Sequence, residues 1–175
     1  MPEIWDVYTK NREITSRKHV RGSPLPEGDF HLVVEIWIFR TSGQILVMKR
    51  HPDKPWPNMW ECTGGSAVEG EDTAAAAVRE VEEEIGVHLV ASEGRIVHQY
   101  TFEDSHYDVW CFRKDIPLED LVFQEGEVVD AKYVTPNELR VLLERGEMIP
   151  KLSYILSLIE TGTVVAGNIS AVPVK

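Results

Sequence analysis

The sequence predicts an α/β fold, because it contains both segments typical of strands and segments with helical periodicity. β-branched and aromatic runs typical of strands occupy 30–39, 95–102, 107–112 and 128–134. Helix-capping signals and apolar residues three or four positions apart mark 74–85, 136–145 and 151–160. We therefore expect helices packed against a sheet.

The size and charge of the chain restrict its organisation and its partners. A length of 175 residues suits one domain, 1–175, and no linker or repeat divides it. The net charge of −11 argues against a nucleic-acid backbone or an acidic membrane surface as the main partner, because both bind basic faces. We expect a small anionic substrate, bound through metal ions and a local basic patch. A homodimer stays open as an alternative to a monomer.

Cysteine usage and the distribution of apolar residues bear on the compartment. Cys62 and Cys111 are too few for a disulfide framework, and free thiols fit a reducing compartment. The first residues lack a basic region followed by an apolar run, and no apolar stretch approaches the ~20 residues needed to span a bilayer. We therefore expect a cytoplasmic protein with no membrane partner.

The amino-terminal third is expected to form a hairpin followed by two paired strands. Residues 4–8 and 13–15 have the pattern of hairpin arms. Residues 16–28, which are basic and then rich in Pro and Gly, are predicted to be a loop. The run 30–39 is expected to be a central strand, joined by a short turn to a partner strand at 45–48.

The next segment, 49–57, is predicted to be a loop because its three prolines exclude helix and sheet interior alike. Arg50 and Lys54 are candidates for holding substrate phosphates, since Arg offers a planar fork to phosphate oxygens and Lys a mobile point charge. Ordinary solvated surface is the alternative. Trp56 and Trp60 could stack on a base, although for Trp60 core packing is the favoured role.

The carboxy-terminal half is expected to add a hairpin, one more strand and two helices. Residues 103–106 lie between two strand-like runs and are predicted to be a hairpin tip at the surface. A capping box at 135–138, with Pro at the first helical position, predicts a helix that ends near Arg145. A second helix is expected over 151–160, and the tail from Thr163 carries no signal.

Residues 65–87, GSAVEGEDTAAAAVREVEEEIGV, contain the helix around which we expect the chain to be organised. Residues 74–77 favour helix, Asp72 or Thr73 can accept from the free amides of the first turn, and Gly86 supplies a left-handed stop. One stripe of the helix is apolar and comprises Ala74, Val78, Val81 and Ile85. The opposite side carries Glu80, Glu83 and Glu84, which we expect to point outward.

Three carboxylates within one helical turn suggest a metal site. Like charges at this spacing repel each other by a few tenths of a kcal/mol per pair, and a divalent cation would remove that cost. The ligands are oxygen only, with no His or Cys nearby, so Mg²⁺ or Mn²⁺ fits better than Zn²⁺. The alternative is a solvated acidic helix face.

The spacing within residues 65–87 resembles the Nudix box. From Gly65 the pattern continues with Glu71, Arg79-Glu80-Val81, Glu83-Glu84 and Gly86-Val87. The resemblance implies a Nudix fold, a mixed β-sheet in an α/β/α sandwich, in which the box holds Mg²⁺ against a diphosphate. It also implies that the Gly65 backbone and the three glutamates hold the ions, that Arg79 pairs with a box carboxylate, and that Glu71 fixes the loop.

A wider stretch, roughly 4–145, is similar to isopentenyl-diphosphate isomerases, which share the Nudix fold. Glu125-Gly126-Glu127 resembles the acidic pair that those isomerases use on metal, and in many Nudix hydrolases a Glu in this region completes the metal site or serves as general base. The isomerases place a catalytic Cys and then a His where this chain has Gly64-Gly65-Ser66, and Cys62 lies too early to replace that Cys. Hydrolysis is therefore favoured.

The expected reaction is Mg²⁺-assisted attack of water on a phosphorus of a nucleoside diphosphate linked to another group, releasing a monophosphate. The general base is Glu80 or an acidic residue of the 125–127 loop such as Glu127, and the sequence leaves this choice open. An isomerase-like enzyme and a catalytically inactive Nudix binding module are the alternatives. An inactive binding module would be expected to lack some of the box carboxylates, and all of them are present.

Overall fold

The computed structural model describes residues 2–164 of the chain. Nine strands and three α-helices are assigned within this part. The strands are β1 (Ile4–Tyr8), β2 (Ile14–Val20), β3 (His31–Phe39), β4 (Ile45–Arg50), β5 (Trp60–Glu61), β6 (Thr63–Ser66), β7 (Gly94–Phe102), β8 (Ser105–Arg113) and β9 (Val128–Val134). The helices are α1 (Thr73–Ile85), α2 (Pro136–Glu144) and α3 (Tyr154–Glu160).

The main sheet is mixed, as the resemblance implies. Its strands lie in the order β5, β4, β3, β8, β7, while β6 also pairs with β3 and β9 pairs with β4. β3 and β8 run parallel over their whole length, and the other pairs are antiparallel. β1 and β2 form a separate two-stranded antiparallel ribbon. The central strand β3 therefore lies next to β6, which carries the glycines that open the box.

Side chains that alternate along β3 enter two different cores. Ile36 and Ile38 pack on the face that α1 covers, together with Val81 and Ile85. Trp37 packs on the opposite face, in a second core to which α2 and α3 contribute. A helix layer thus covers each face of the sheet, and the predicted α/β/α sandwich is confirmed.

Four expectations about local structure need correction. Residues 16–20, predicted to be loop, belong to β2 because they pair with β1, where Asp6 lies opposite Lys18. Lys49 and Arg50 belong to β4, since both precede the first proline of the loop. Ser105 and His106 are buried in β8, so the surface tip is shorter than predicted.

The fourth correction concerns the last helix. Residues 150–153 form a 3-10 turn, and α3 begins only at Tyr154. The tail from Thr163 is described only as far as Val164, so the remainder lies outside the described residues.

Candidate active site

The helix α1 begins and ends at the signals seen in the sequence. The Asp72 side chain accepts a hydrogen bond of 2.8 Å from the Ala75 N–H. Gly86 adopts a left-handed conformation at φ 69°, which costs glycine little, and its N–H bonds to the Glu82 carbonyl. These local interactions fix where α1 begins and ends.

The three candidate metal-binding glutamates of α1 differ in exposure, and the expectation that all three point outward is wrong. The side chain of Glu83 is 49% exposed, that of Glu80 only 12%. Glu84 is buried at 6% exposure, because it lies beside the buried Ile85 and its carboxylate faces β6. One oxygen of Glu84 accepts a hydrogen bond of 3.3 Å from the Gly64 N–H.

Close approach explains the two glycines of β6. A Cβ on Gly65 would lie 2.4 Å from the carboxyl carbon of Glu80, and a Cβ on Gly64 would lie 2.4 Å from the Val34 carbonyl oxygen. Both distances are far below van der Waals contact. Glycine at these positions lets the helix carboxylate lie directly against the strand backbone, so that carboxylate and backbone oxygens share one small volume.

Arg79 ties the acidic residues of the box together. Its Nε and Nη2 donate to the two oxygens of Glu71, at 2.7 and 2.9 Å. Its Nη1 donates to Glu80 at 2.9 Å and to Glu83 at 2.8 Å. Glu71 also accepts from the Val68 N–H at 3.0 Å, which fixes the loop before the helix. The guanidinium thereby neutralises part of the box charge.

Negative charge nevertheless remains uncompensated around Glu84. Burial raises the pKa of Glu84 well above its usual range, and the charges of Glu61 and Glu80 act in the same direction, whereas the charge of Lys54 opposes them. Burial also raises the pKa of Glu80, against the opposing effect of Arg79, and that of Glu61, against the opposing effect of Arg50. Three carboxyl groups thus share a desolvated region with too little positive charge.

This donor set fits a hard divalent cation, which would supply the missing charge to oxygen ligands. Within residues 2–164, no three acidic, His or Cys side chains converge as a finished ligand set. Arg79 Nη1 bonds to two of the box glutamates, Glu80 and Glu83. Binding an ion through Glu80 or Glu83 would require these carboxylates to shift from the guanidinium.

Arg50 and Lys54, two basic residues of the 49–57 segment, lie in the same region as the box glutamates. Arg50 Nη1 lies 2.5 Å from Glu61, and its Nε donates to the Pro55 carbonyl at 2.7 Å. Lys54 forms a close ion pair with Glu127. Both cations are therefore oriented by carboxylates on the cavity wall, rather than extended into solvent.

One cavity of about 580 Å³ unites the residues predicted for metal and phosphate binding. It is lined by Arg50, Lys54, Gly65, Glu80, Glu83, Glu84 and Glu127. Arg79 lies behind this wall, bonded to the glutamates. Glu125, which shares a loop with Glu127, is exposed and lies outside the lining. We call this cavity the acidic half of the cleft.

A second cavity, of about 570 Å³, has mainly apolar walls and adjoins the first. Arg50, Gly64, Gly65 and Lys151 line both cavities, so the two form one cleft. We call the second cavity the apolar half. Trp56, 55% exposed, lines it.

Trp60 is buried in the second core, in agreement with its favoured packing role. Sequence reasoning missed three polar residues of the apolar half, namely Glu35, Glu61 and Lys151. An acidic residue within an apolar strand was the signal available for Glu35.

Cys62, the residue considered for isomerase chemistry, is buried on the wall of the apolar half. Burial raises the pKa of its thiol well above the usual range, and the charge of Glu35 acts in the same direction. Gly64, Gly65 and Ser66 belong to β6, so no thiol or imidazole follows at the start of the box.

Comparison with known proteins agrees with this fold. A model of the NUDIX domain matches residues 29–153. The Listeria monocytogenes protein named "Uncharacterized Nudix hydrolase lmo0368" is 45% identical over 150 residues, which cover 85% of this chain and 89% of that protein. The crystal structure of DR0079 from Deinococcus radiodurans has a TM-score of 0.74 at 23% identity, covering 89% of this chain and 98% of that one.

A shorter similarity concerns the isomerase alternative. The isopentenyl-diphosphate Delta-isomerase of Citrobacter koseri is 38% identical over 61 residues, which cover 34% of each chain. The longer matches and the complete set of box carboxylates define a hydrolase-type protein with an α/β/α sandwich. The chain belongs to the Nudix family, and its enzyme class is the Nudix-type pyrophosphate hydrolase that the sequence predicts.

In the part of the chain from residue 2 to residue 164, no helix is long and apolar enough to cross a membrane.

Proposed function

We propose that this protein is a Mg²⁺-dependent hydrolase that cleaves the diphosphate of a nucleoside diphosphate linked to another group. The observation that carries the proposal is the single cleft, in which uncompensated carboxylates, two oriented cations and an apolar cavity adjoin. In a substrate that joins a diphosphate to an organic group, the diphosphate would match the acidic half and the organic group the apolar half. A monophosphate is the expected product.

The residues proposed to hold the ion are Glu80, Glu83 and Glu84 with the Gly65 backbone oxygen. Their oxygen donors and surplus negative charge favour Mg²⁺, with Mn²⁺ as the alternative. When bound, the ion neutralises charge on phosphoryl oxygens and makes water a better nucleophile. Glu84, the most deeply buried of the three, contributes the charge that the protein itself compensates least.

Arg50 and Lys54 are proposed to bind the diphosphate. Each is paired with a carboxylate of the cleft, Glu61 and Glu127 respectively, and both cations line the acidic half. A phosphate oxygen would add a second anion to the free donors of each side chain. The apolar half, with Trp56 at its wall, is proposed to receive the organic group.

The general base is proposed to be Glu127 or Glu80. Glu127 follows the tight 125–126 turn and lines the acidic half, paired with Lys54. Glu80 lies against Gly65 and is held by Arg79. Either carboxylate can take a proton from water held within the acidic half.

A substrate screen tests the proposal. Nucleoside diphosphate derivatives and isoprenoid diphosphates would be incubated with Mg²⁺, and released phosphate and monophosphate would be measured, with a parallel series in chelator. We expect Mg²⁺-dependent release of a nucleoside monophosphate. If isoprenoid diphosphates are isomerised without phosphate release, or if no diphosphate is cleaved, the proposed function is wrong.

A further inference from the structure

Lys151 lies where the two halves of the cleft meet. It belongs to the 3-10 turn that precedes α3, and it lines both cavities. The turn is held in place because Leu152 is buried in the second core and the Ile149 N–H donates to the Trp60 carbonyl at 3.1 Å. The backbone that carries Lys151 is therefore fixed to the sheet, on the side of the cleft away from α1.

A buried carboxylate orients the Lys151 side chain. Its Nζ lies 2.9 Å from Glu35 Oε1 and 4.3 Å from the centre of the Tyr107 ring. The other oxygen of Glu35 accepts hydrogen bonds from the hydroxyls of Tyr100, at 3.0 Å, and Tyr154, at 2.6 Å. Glu35 is held by two donors on one side, so its position is fixed independently of the lysine.

The contact with Glu35 orients the Lys151 ammonium and leaves hydrogen-bond donors of that group free. Lys151 Nζ forms an ion pair with Glu35 Oε1 at 2.9 Å, and among the described residues this oxygen has no other partner. The Lys151 side chain stays 40% exposed, whereas the Glu35 side chain is 5% exposed. An ammonium has three donors, so those that do not face Glu35 remain available to a ligand in the cleft.

Lys151 also differs from the two basic residues already assigned to the diphosphate. Arg50 and Lys54 pair with Glu61 and Glu127, at the loop side of the cleft. Lys151 approaches from the second core, beside the apolar half. A diphosphate lying between the halves would therefore meet positive charge on two sides.

We propose that Lys151 binds the phosphate that carries the organic group of the substrate, at the junction of the acidic and apolar halves. This inference rests on the proposed function, since it assumes that a diphosphate occupies the cleft. Lys151 is thus a substrate-binding residue, and Glu35 is the residue that positions it.

Loss of Lys151 alone would leave Glu35 buried without a cation, so the test uses a background in which that charge is absent. Binding of methylenediphosphonate, a diphosphate that cannot be hydrolysed, would be measured by calorimetry with Mg²⁺. The variants are Glu35→Gln, the double variant Glu35→Gln/Lys151→Met, and Lys151→Arg. Lys10→Met, at an exposed turn between β1 and β2, is the matched control.

We expect the double variant to bind at least about tenfold more weakly than Glu35→Gln, because a charged donor to the phosphate is lost. Lys151→Arg, which keeps the charge, should recover most of the affinity, and Lys10→Met should bind as the wild type does. If Lys151 only neutralises Glu35, the double variant and Glu35→Gln will bind equally, and the inference is overturned. Absence of binding to the wild type overturns it as well.

The same experiment separates this inference from the proposed function. Methylenediphosphonate binding does not depend on turnover, so a protein that binds it through Lys151 yet hydrolyses none of the screened substrates would contradict only the proposed reaction. Mg²⁺-dependent hydrolysis by the wild type, together with an unchanged affinity in the double variant, would contradict only the role of Lys151.

Discussion

Glu35 and Glu84 are buried to a similar degree in the two halves of one cleft, but their surroundings differ. Glu35 accepts hydrogen bonds from two tyrosine hydroxyls and lies beside the Lys151 ammonium. Glu84 accepts one long hydrogen bond from the Gly64 N–H, and Glu61 and Glu80 are among its charged neighbours.

Burying a carboxylate is costly unless partners compensate it. The protein supplies several such partners for Glu35, whereas Glu84 has only the Gly64 N–H and the charge of Lys54 to oppose the cost of its burial. Glu35 therefore belongs to the internal framework of the cleft, whereas Glu84 is the carboxylate for which we propose a cation from outside the chain.

The largest effect is expected for Glu84→Gln, which keeps the shape and removes the charge. We expect turnover to fall at least ~10²-fold, because metal and positioned charge supply most of this catalysis. The free energy of unfolding without metal should not fall, since an uncompensated buried charge is lost.

Steady-state kinetics and denaturant titration would measure both quantities. Glu82→Gln, the same substitution at an exposed position of α1, is the control. Near-normal turnover at saturating Mg²⁺ in a folded Glu84→Gln variant would contradict the proposal that Glu84 binds the metal. Glu84 and Glu35 would then no longer differ in function.

Tyr154→Phe tests the opposite half of the comparison. It removes the 2.6 Å hydrogen bond to Glu35 and the acceptor of the Trp37 Nε1–H, which is 3.0 Å away. We expect a loss of about 2 kcal/mol in the free energy of unfolding, because buried polar groups lose their partners. Tyr100→Phe, which removes only one 3.0 Å bond to Glu35, should cost less. Equal and negligible losses in both variants would show that Glu35 does not need these donors.

Arg50 and Lys54, which line the acidic half together with Glu84, are proposed to bind the diphosphate. Replacing both by Ala should raise the apparent KM about tenfold, with a smaller effect on kcat, because each loses a charge-assisted contact to phosphate. The double variant Arg140→Ala/Arg145→Ala, at the end of α2, controls for the loss of two positive charges. An unchanged KM in the Arg50/Lys54 variant would show that the segment is ordinary solvated surface and does not bind the substrate.

Asp6 extends the comparison to a third buried carboxylate, which the protein compensates as it does Glu35. Burial alone raises the pKa of Asp6, but the hydrogen bonds from Lys18 and from the Gly70 N–H outweigh it and lower the pKa overall. A depressed pKa stabilises the fold above the unfolded value of about 4, and this contribution is lost as the pH falls through the lower folded value.

Asp6→Asn should therefore be less stable than the wild type by about 1 kcal/mol at pH 7. The difference should shrink as the pH falls below about 4. Urea titrations at a series of pH values would measure it. A difference that grows on acidification would show that the sign assigned to Asp6 is wrong.

The smallest effect is expected for Cys62→Ser, at the wall of the apolar half. Hydrolysis should change less than about threefold, because a buried protonated thiol contributes packing rather than acid–base chemistry. The decisive measurement is proton exchange into isopentenyl diphosphate, followed by NMR in heavy water. Exchange that Cys62→Ser abolishes would overturn the hydrolase assignment.

Features that depend on neighbours in sequence could be predicted well. The caps of α1 at Asp72 and Gly86 and the capping box at Thr135 are all formed, because each involves residues within one turn. Glu80, Glu83 and Glu84, which the spacing of the box places on one side of α1, line one cavity with Arg50 and Lys54.

Features that depend on distant residues could not be predicted. The contact of Lys151 with Glu35 requires β3 and the turn before α3 to meet across the second core. The burial of Glu84 depends on how closely α1 approaches β6, which the two glycines allow. The polar strand β2 was predicted only for its first residues because an exposed two-stranded ribbon lacks a clear apolar alternation.

The ribbon of β1 and β2 is important for the design of shortened versions of this protein. It lies outside the 29–153 segment that matches the family model, yet Asp6 bonds to Gly70 in the box loop, and Arg12 forms an ion pair with Asp108 of β8. Tyr154, which bonds to Glu35, falls one residue beyond the other boundary. A version shortened to the family limits would keep every box glutamate and still lose supports on both walls of the cleft.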